Sequence, residues 1–341
     1  MKKVSIIIPV FNRELVITET INSIRNQTYE NWEVLAVDDG STDNSRSVLK
    51  DWSIKDSRIK SIFREEYSSI KGAPTCRNIG LEEASGDYVI FLDSDDLFIP
   101  ECLSNRIENY KQNPKLDFMV FQGAFFSEKI EDSNILWNKF TAEDDLIRFL
   151  RGDIVWQTTG PIWKRDFLIN YNLRWEEEVA SSQDWEFHIN VLLNDCNFLK
   201  EESAPDYFVR RDQKDKARIS EGHYSYKKYM NRIPLIEKLI YKLKEESHFL
   251  ALHKYLVRDT LSCLKNSVDY KIVEEFKNLN KLFPKTIKKE WDIVISIMYY
   301  ALKNKLNILY RICNKSIDVL YPGYYKGFKL NYRSKYKDIF N

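Results

Sequence analysis

DYVIFLDSDD, residues 87–96, decides how this chain is read. The apolar run through Leu92 suits a strand buried on both faces, and the acidic cluster that follows marks the strand's carboxyl end. Working outward, APTCRNIGLEEASG (residues 73–86) reads as a helix closed by Gly86. KVSIIIPVF (3–11) is a β-branched strand, residues 14–26 carry Leu15, Ile17, Ile21 and Ile24 near helical spacing, and NWEVLAVDD (31–39) is a second strand ending in acid. STDNSRSVLKDW (41–52) is a helix with Ser41, Thr42 or Asp43 as N-cap, and IKSIF (59–63) is another strand. Strands alternating with helices imply right-handed crossovers and a mostly parallel sheet, an α/β architecture.

Beyond residue 96 the alternation loosens. Pro100 opens a helix to about Asn113, LDFMVFQGAFF (116–126) reads as one strand, and residues 127–138 as a polar insertion or flap. Residues 142–150 and 183–193 are helical, and GPIWKRDFL turns from strand into helix. After Tyr224 the pattern is almost all helix, broken near Pro284 and at Pro322-Gly323. Charge divides at the same place: from Tyr224 onward 24 Lys and Arg face 11 Asp and Glu, whereas the first 223 residues hold 28 against 40. The division predicts a domain over residues 1–223 and a basic helical region over 224–341, the latter favouring anionic surfaces.

Other classes are excluded. Five cysteines, scattered and never spaced as CxxC, argue against a disulfide framework or a zinc site and for a reducing compartment. No apolar run approaches the ~18–20 residues that cross a bilayer, so a cytoplasmic location is expected. The first turn after a strand reads PVFNRE, neither GxGxxG nor a P-loop, which argues against dinucleotide enzymes and P-loop NTPases. No nucleic-acid-binding module is recognisable.

In an open parallel sheet, ligands bind outside the carboxyl ends of the strands. Three predicted strands end in polar groups there: Pro9 to Glu14, Asp38-Asp39-Gly40, and Asp93 to Asp96. In a strand-like or turn geometry Asp93 and Asp95 point the same way and can share one hard cation, Mg²⁺ or Mn²⁺, which would also bind a substrate diphosphate. Helix capping alone accounts poorly for three such ends together.

VSIIIPVFNRE, VDDGSTDNS, CRNIGLEEASGDYVIFLDSDD and SSQDWEFH, in this order between residues 4 and 211, resemble glycosyltransferase family 2. The resemblance implies a GT-A fold, a Rossmann-like, mostly parallel mixed sheet flanked by helices, with the C-terminal helical region outside it. It implies an inverting, metal-dependent enzyme that moves sugar from a nucleoside-diphosphate sugar, UDP-linked, to a saccharide or lipid-linked hydroxyl in cell-surface polysaccharide or glycolipid synthesis. Pro9, Val10, Asn12, Glu14, Asp38, Asp39, Arg77, Asp93 and Ser94 would bind the nucleotide sugar, with Asp39 ahead of Asp38 for the base. Asp93 and Asp95 would hold Mn²⁺ or Mg²⁺, with Asp96 beside them. Asp184 resembles the catalytic base, and Gln183 stands where the family often has Glu. Trp185 would lie near the acceptor, as would Trp156 and Trp163, although a lone Trp more often belongs to the core. Arg210, Arg211, Arg218 and His223 fall where a basic residue sometimes meets the diphosphate, and His188 reads as a packed histidine. Residues 127–137 and 156–163 would set pocket shape. The basic helices, with Tyr299, Tyr300, Tyr310, Tyr321, Tyr324 and Tyr325, admit two readings: peripheral contact with an anionic membrane at its inner face, or an ordinary helical cap. The alternative to an enzyme is a non-catalytic nucleotide-sugar-binding scaffold, suggested by Gln183.

Overall fold

VSIIIPV is buried along its whole length, as a strand covered on both faces must be. The computed structural model describes residues 1–179, 181–211, 225–288, 291–306 and 309. In it β1 (Val4–Val10), α1 (Ile17–Arg25), β2 (Trp32–Asp38), α2 (Ser45–Lys55), β3 (Ile59–Phe63), α3 (Ala73–Glu83) and β4 (Tyr88–Phe91) alternate as the sequence predicts. There follow β5 (Leu97–Phe98), α4 (Cys102–Gln112), β6 (Phe118–Phe121), β7 (Gly123–Phe126), β8 (Ile135–Leu136), α5 (Asp145–Leu150), β9 (Pro161–Lys164), α6 (Arg165–Asn170), α7 (Gln183–Leu192), β10 (Phe198–Glu201) and β11 (Tyr207–Arg210). The basic region folds into α8 (Tyr226–Lys242), α9 (Glu246–Asn266), α10 (Tyr270–Leu282), α11 (Lys285–Lys288) and α12 (Trp291–Lys303).

One sheet has the order β10-β6-β9-β4-β1-β2-β3. It is parallel except where β9 runs antiparallel between β4 and β6, so it is mixed but mostly parallel. Alternate residues feed two cores. Val4, Ile6, Ile8 and Val10 join α1, α2 and α4 on one face, while Ile7, Leu35, Val37 and Phe91 join α3, α5 and α7 on the other. That second cluster continues without a break into Leu252, Leu256, Phe276 and Trp291 of the C-terminal helices. Pro9 is tolerated in the central strand because β4 pairs only as far as Ile7. Ile7 faces β4, its carbonyl accepting from Leu92, so Pro9, two residues on, turns its missing N–H past the end of that ladder.

Three expectations need correction. Residues 116–126 are not one strand: β6 and β7 belong to different sheets, with buried Gln122 at the switch, and β7 joins a second sheet of order β5-β11-β7-β8. The supposed insertion at 127–138 supplies β8 to that sheet, pairing antiparallel with β7. Gly86 does not close α3, which ends at Glu83; a Cβ there would come within 2.8 Å of Ser5 in β1 and of Lys3 just before it, so glycine is needed for close approach. The two sheets are joined by Arg106 of α4. It forms a two-pronged ion pair with Asp206, just before β11, at 2.7 and 2.8 Å, and donates to the Thr159 carbonyl at 3.1 Å. The 212–224 boundary, Arg218, His223, Tyr310, Pro322-Gly323, Tyr321, Tyr324 and Tyr325 lie outside the described residues. Among the described residues no helix is long and apolar enough to cross a membrane.

Candidate active site

The carboxyl ends of β1, β2 and β4 open into a cavity of about 850 Å³, closed on its far side by α7, the loop after α5, and α9. The β1 end contributes Pro9, Val10 and Asn12. Asn12 takes a left-handed conformation, φ 52°, which Asn tolerates better than most residues. Its carbonyl oxygen, Oδ1, accepts from the Thr42 N–H at 2.8 Å, tying the turn after β1 to the turn after β2.

At the β2 end the two aspartates separate. Asp38 is fully buried and accepts from the Gly40 and Ser41 amides and from Arg46, so it fixes its own turn and does not reach the cavity. Asp39 lines the cavity, its carboxylate paired at 2.6 Å with Arg64. Glu14 is also turned away, accepting from the Asn44 N–H at 2.8 Å at the start of α2. Arg64, in the segment just after β3, was not singled out in the sequence because no motif marks it.

After β4 the chain leaves the strand before the acidic cluster, and the Asp96 N–H closes a turn onto the Asp93 carbonyl at 3.1 Å. Asp93 to Asp96 are therefore presented by a turn rather than by strand alternation, and all four line the cavity. Asp93 accepts from Arg77 at 2.7 Å and from the Gln157 amide at 2.8 Å. Ser94 is buried, its carbonyl accepting from Thr20 of α1 at 3.0 Å. Asp96 is buried and accepts from the Thr159 hydroxyl at 3.1 Å and the Arg210 N–H at 3.3 Å. Burial, with the charges of Asp95 and Asp93 beside it, pushes the Asp96 carboxyl well above the usual carboxylate range.

Arg77, on α3, links this floor to the opposite wall. Its guanidinium lies over the Trp175 ring at 4.4 Å and donates to Gln183 at 3.3 Å as well as to Asp93. The next residue, Asp184, lines the cavity at the start of α7. Burial raises its pKa; the nearby Asp93 charge raises it further, while Arg77 opposes. Segments almost 100 residues apart thus converge around one arginine.

Trp185 also borders the cavity, but it is nearly fully buried, donates to the Phe149 carbonyl at 2.6 Å and stacks on Tyr255 of α9 at 4.7 Å. Trp156 and Trp163 are core residues outside the cavity lining. His188 sits among the rings of Phe149, Trp156, Trp163 and Trp175, and burial drops its pKa to about 3, so it stays neutral. Arg211 lines the rim with its guanidinium 5.6 Å from the Phe125 ring centre. Sequence reasoning missed Tyr255 and Arg258, and it placed Gln157 and Thr159 only within the 156–163 stretch expected to shape the pocket; an isolated amide, hydroxyl or helical arginine carries no local signal.

A Rossmann-like mixed sheet whose acidic strand ends and a helix-borne aspartate share one cleft defines the GT-A class of nucleotide-sugar-binding proteins. Residues 5–166 form a region that matches the Glycosyl transferase family 2 model. It is 42% identical over 153 residues to an uncharacterized glycosyltransferase of Haemophilus influenzae, covering 45% of this chain and 59% of that one. It is 41% identical over 139 residues to the Escherichia coli UDP-Glc:alpha-D-GlcNAc-diphosphoundecaprenol beta-1,3-glucosyltransferase WfgD, covering 41% and 51%. The chain thus spans little more than half the length of these relatives. In fold it is similar to Staphylococcus aureus TarS 1-349 in complex with UDP-GlcNAc, at TM-score 0.68 and 18% identity over 93% of this chain and 91% of that one. It is also similar to the mannosyltransferase PcManGT of Pyrobaculum calidifontis in complex with GDP-Man and Mn²⁺, at TM-score 0.52 and 16% identity over 89% and 86%.

Proposed function

We propose that the protein is an inverting glycosyltransferase that moves a sugar from a UDP-linked donor to a hydroxyl of a saccharide or lipid-linked acceptor, in the assembly of a cell-surface polysaccharide or glycolipid. The observation that carries this reading is Asp184, its proton affinity raised by burial, in the same cavity as Asp39, Arg77 and Asp93 to Asp96. Pro9, Val10, Asn12 and Asp39 would take the nucleoside, with Asp39 accepting from a pyrimidine N3–H and Arg77 serving the phosphates. Asp184 would accept the proton of the acceptor hydroxyl as that oxygen bonds to the anomeric carbon. The bond from that carbon to the diphosphate breaks on the opposite face, and the electron pair leaves with the nucleoside diphosphate. The wall around Gln183, Trp185 and Arg211 would hold the acceptor side of the reaction. The WfgD and TarS descriptions support a UDP-sugar donor, and WfgD supports a lipid-linked acceptor. Such an acceptor would bring the chain to a membrane's inner face, where the Lys and Arg surplus after Tyr224 favours anionic lipid.

The donor set suits a divalent cation. Carboxylates crowded enough to raise the Asp96 pKa leave excess negative charge, and hard oxygens are the ligands of Mg²⁺ and Mn²⁺. Among the described residues no three acidic, His or Cys side chains form a complete metal cage. Asp93 and Asp95 would therefore hold the ion together with phosphate oxygens and water, and its charge would stabilise the departing diphosphate.

The test is nucleoside diphosphate release by the purified chain from UDP-, GDP- and dTDP-sugars, with Mn²⁺ and a panel of saccharide and prenyl-linked acceptors. Asp184→Asn is expected to lower acceptor-dependent turnover about 10²–10⁴-fold while leaving donor affinity within about threefold. Full activity in Asp184→Asn removes the base assignment. Tight donor binding without turnover on any acceptor favours the scaffold instead.

A further inference from the structure

Two neighbouring aspartates at the end of β2 are each held by an arginine, and the two pairings leave them unequal. Asp38 spends both oxygens on its own turn. Its Oδ2 accepts from Arg46 and from the Gly40 and Ser41 amides, and its Oδ1 from the Ser41 amide at 3.3 Å. Asp39 spends one. Its Oδ1 accepts from Arg64 Nε at 2.6 Å, and among the described residues no hydrogen bond reaches Oδ2. The Asp39 backbone is fixed as well, its N–H donating to the Val10 carbonyl at 2.8 Å.

Arg64 is itself locked in place, which makes it a rigid partner. Its side chain is only 4% exposed. Nη1 donates to the Ser68 carbonyl at 2.6 Å, and Nη2 packs against Gly40, 3.5 Å from where a Cβ would stand. The Arg64 carbonyl accepts from the Tyr67 and Ser68 amides, both at 2.9 Å, closing the turn after β3. Glu65, the next residue, pairs with Arg46, so one short segment braces both aspartates. Asp39 lines the cavity and Arg64 does not. The guanidinium thus works from behind, presenting a carboxylate with one oxygen engaged and the other left to accept.

Resting on the glycosyl-transfer reading above, with Asp39 meeting the base, we infer that Arg64 is the positioning residue that sets nucleobase choice. By engaging Oδ1 it makes Asp39 a one-oxygen acceptor, selective for the single imino donor of uracil or thymine. Those bases carry one N3–H between two carbonyls, and one oxygen satisfies it. Guanine carries N1–H and the N2 amine side by side, and a carboxylate serves both donors best by offering both oxygens. With Oδ1 already held at 2.6 Å by a cation, the second of those donors meets a poorer acceptor. Cytosine turns the lone pair of N3 toward Oδ2, acceptor against acceptor, and is disfavoured whatever Arg64 does. A site that leaves a polar group of the wrong ligand unpaired discriminates strongly against it.

The experiment is calorimetric titration of the full chain with UDP, dTDP, GDP and CDP in the presence of Mg²⁺. The better of UDP and dTDP is expected to bind about tenfold more tightly, or better, than either GDP or CDP. Arg64→Met frees Oδ1 and should shrink the margin over GDP by about threefold or more while leaving the margin over CDP. General loosening of the site would not split the two margins in that way. Arg64→Lys keeps one donor for Oδ1 and should retain both. Asp39→Asn tests the same pairing from the other side, whether or not Arg64→Met folds. Arg64 demands an oxygen at the Oδ1 position, so the amide nitrogen takes the place of Oδ2 and should turn the preference toward CDP. Thermal melting checks the folding of each variant. If no nucleoside diphosphate binds wild type, the glycosyl-transfer reading falls and this inference with it. The role of Arg64 alone is overturned, with that reading left standing, by any of three results: GDP matches or leads, the margin over GDP survives Arg64→Met, or Asp39→Asn still prefers uracil to cytosine.

Discussion

The two sides of the cavity are built by opposite strategies. On the side proposed for the donor, the lining groups follow directly from the ends of β1, β2 and β4, each within a few residues of a buried strand. Parallel register alone brings those ends together, with Val10 beside Asp38 and Ile7 beside Phe91. On the side proposed for the acceptor, the wall is assembled from Trp137 just after β8, the loop after α5, α7 and α9. There the positions are set by rings, a glycine and buried ion pairs. A backbone-built surface should tolerate side-chain change away from the site, whereas a packing-built one should not.

The largest test of that contrast lies in the joint beneath the floor. Asp206→Ala would leave Arg106 buried without its carboxylate, and the fold is expected to lose about 3–5 kcal/mol, read by denaturant unfolding. Because Arg106 also holds the carbonyl of Thr159, whose hydroxyl donates to Asp96, the acidic turn should loosen with it. A loss under about 1 kcal/mol would mean that strand register suffices to hold the floor.

Gly152→Ala strikes the other side. A left-handed backbone and a Cβ placed against Tyr255 are expected to cost about 1–3 kcal/mol. The damage should fall on acceptor KM, with donor affinity kept, because Gly152 packs against Tyr255 and Arg258 of α9 and not against the strand-end turns, which this loop reaches farther on through Gln157 and Thr159. Equal damage to donor binding would erase the distinction between the two walls.

The smallest effect is a slope. His188 and His253, both buried, have pKa values lowered by burial to about 3 and about 4. Unfolded, each takes up a proton near pH 6.5; folded, neither does until far lower pH. The stability they permit is thus complete above pH 6.5 and is lost as pH falls toward 4, by roughly 1.4 kcal/mol per pH unit per histidine. Melting temperature should decline over that window, and His188→Phe, if it folds, should flatten the decline. An unchanged slope would place solvent in the aromatic box behind Asp184.

Legibility in the sequence follows the same division. DYVIFLDSDD announced both a strand and its acidic end, and the alternation around it was enough for the α/β class. The pair Asp38 and Asp39 could not be ranked by pattern, since both sit at the end of one strand; the structure sends one into its own turn and the other to Arg64. Residues 116–126 read as a single strand because apolar character is continuous there, yet Gln122 marks a change of sheet that no local propensity encodes. Asp184 was legible only through its resemblance to a family motif, while its raised proton affinity depends on burial and on Asp93, 91 positions away.

By itself, then, the sequence determined the alternating architecture, the acidic strand ends and the charge division near Tyr224, because each is written in short-range periodicity or composition. Only the tertiary structure decided which carboxylates reach the cavity, and that a helix from the basic region completes its wall. Those outcomes depend on contacts between residues a hundred or more positions apart, such as Gly152 with Arg258 and Arg77 with Gln183. Packing of that range leaves no trace in local pattern, since it is fixed by shape and burial when the layers close.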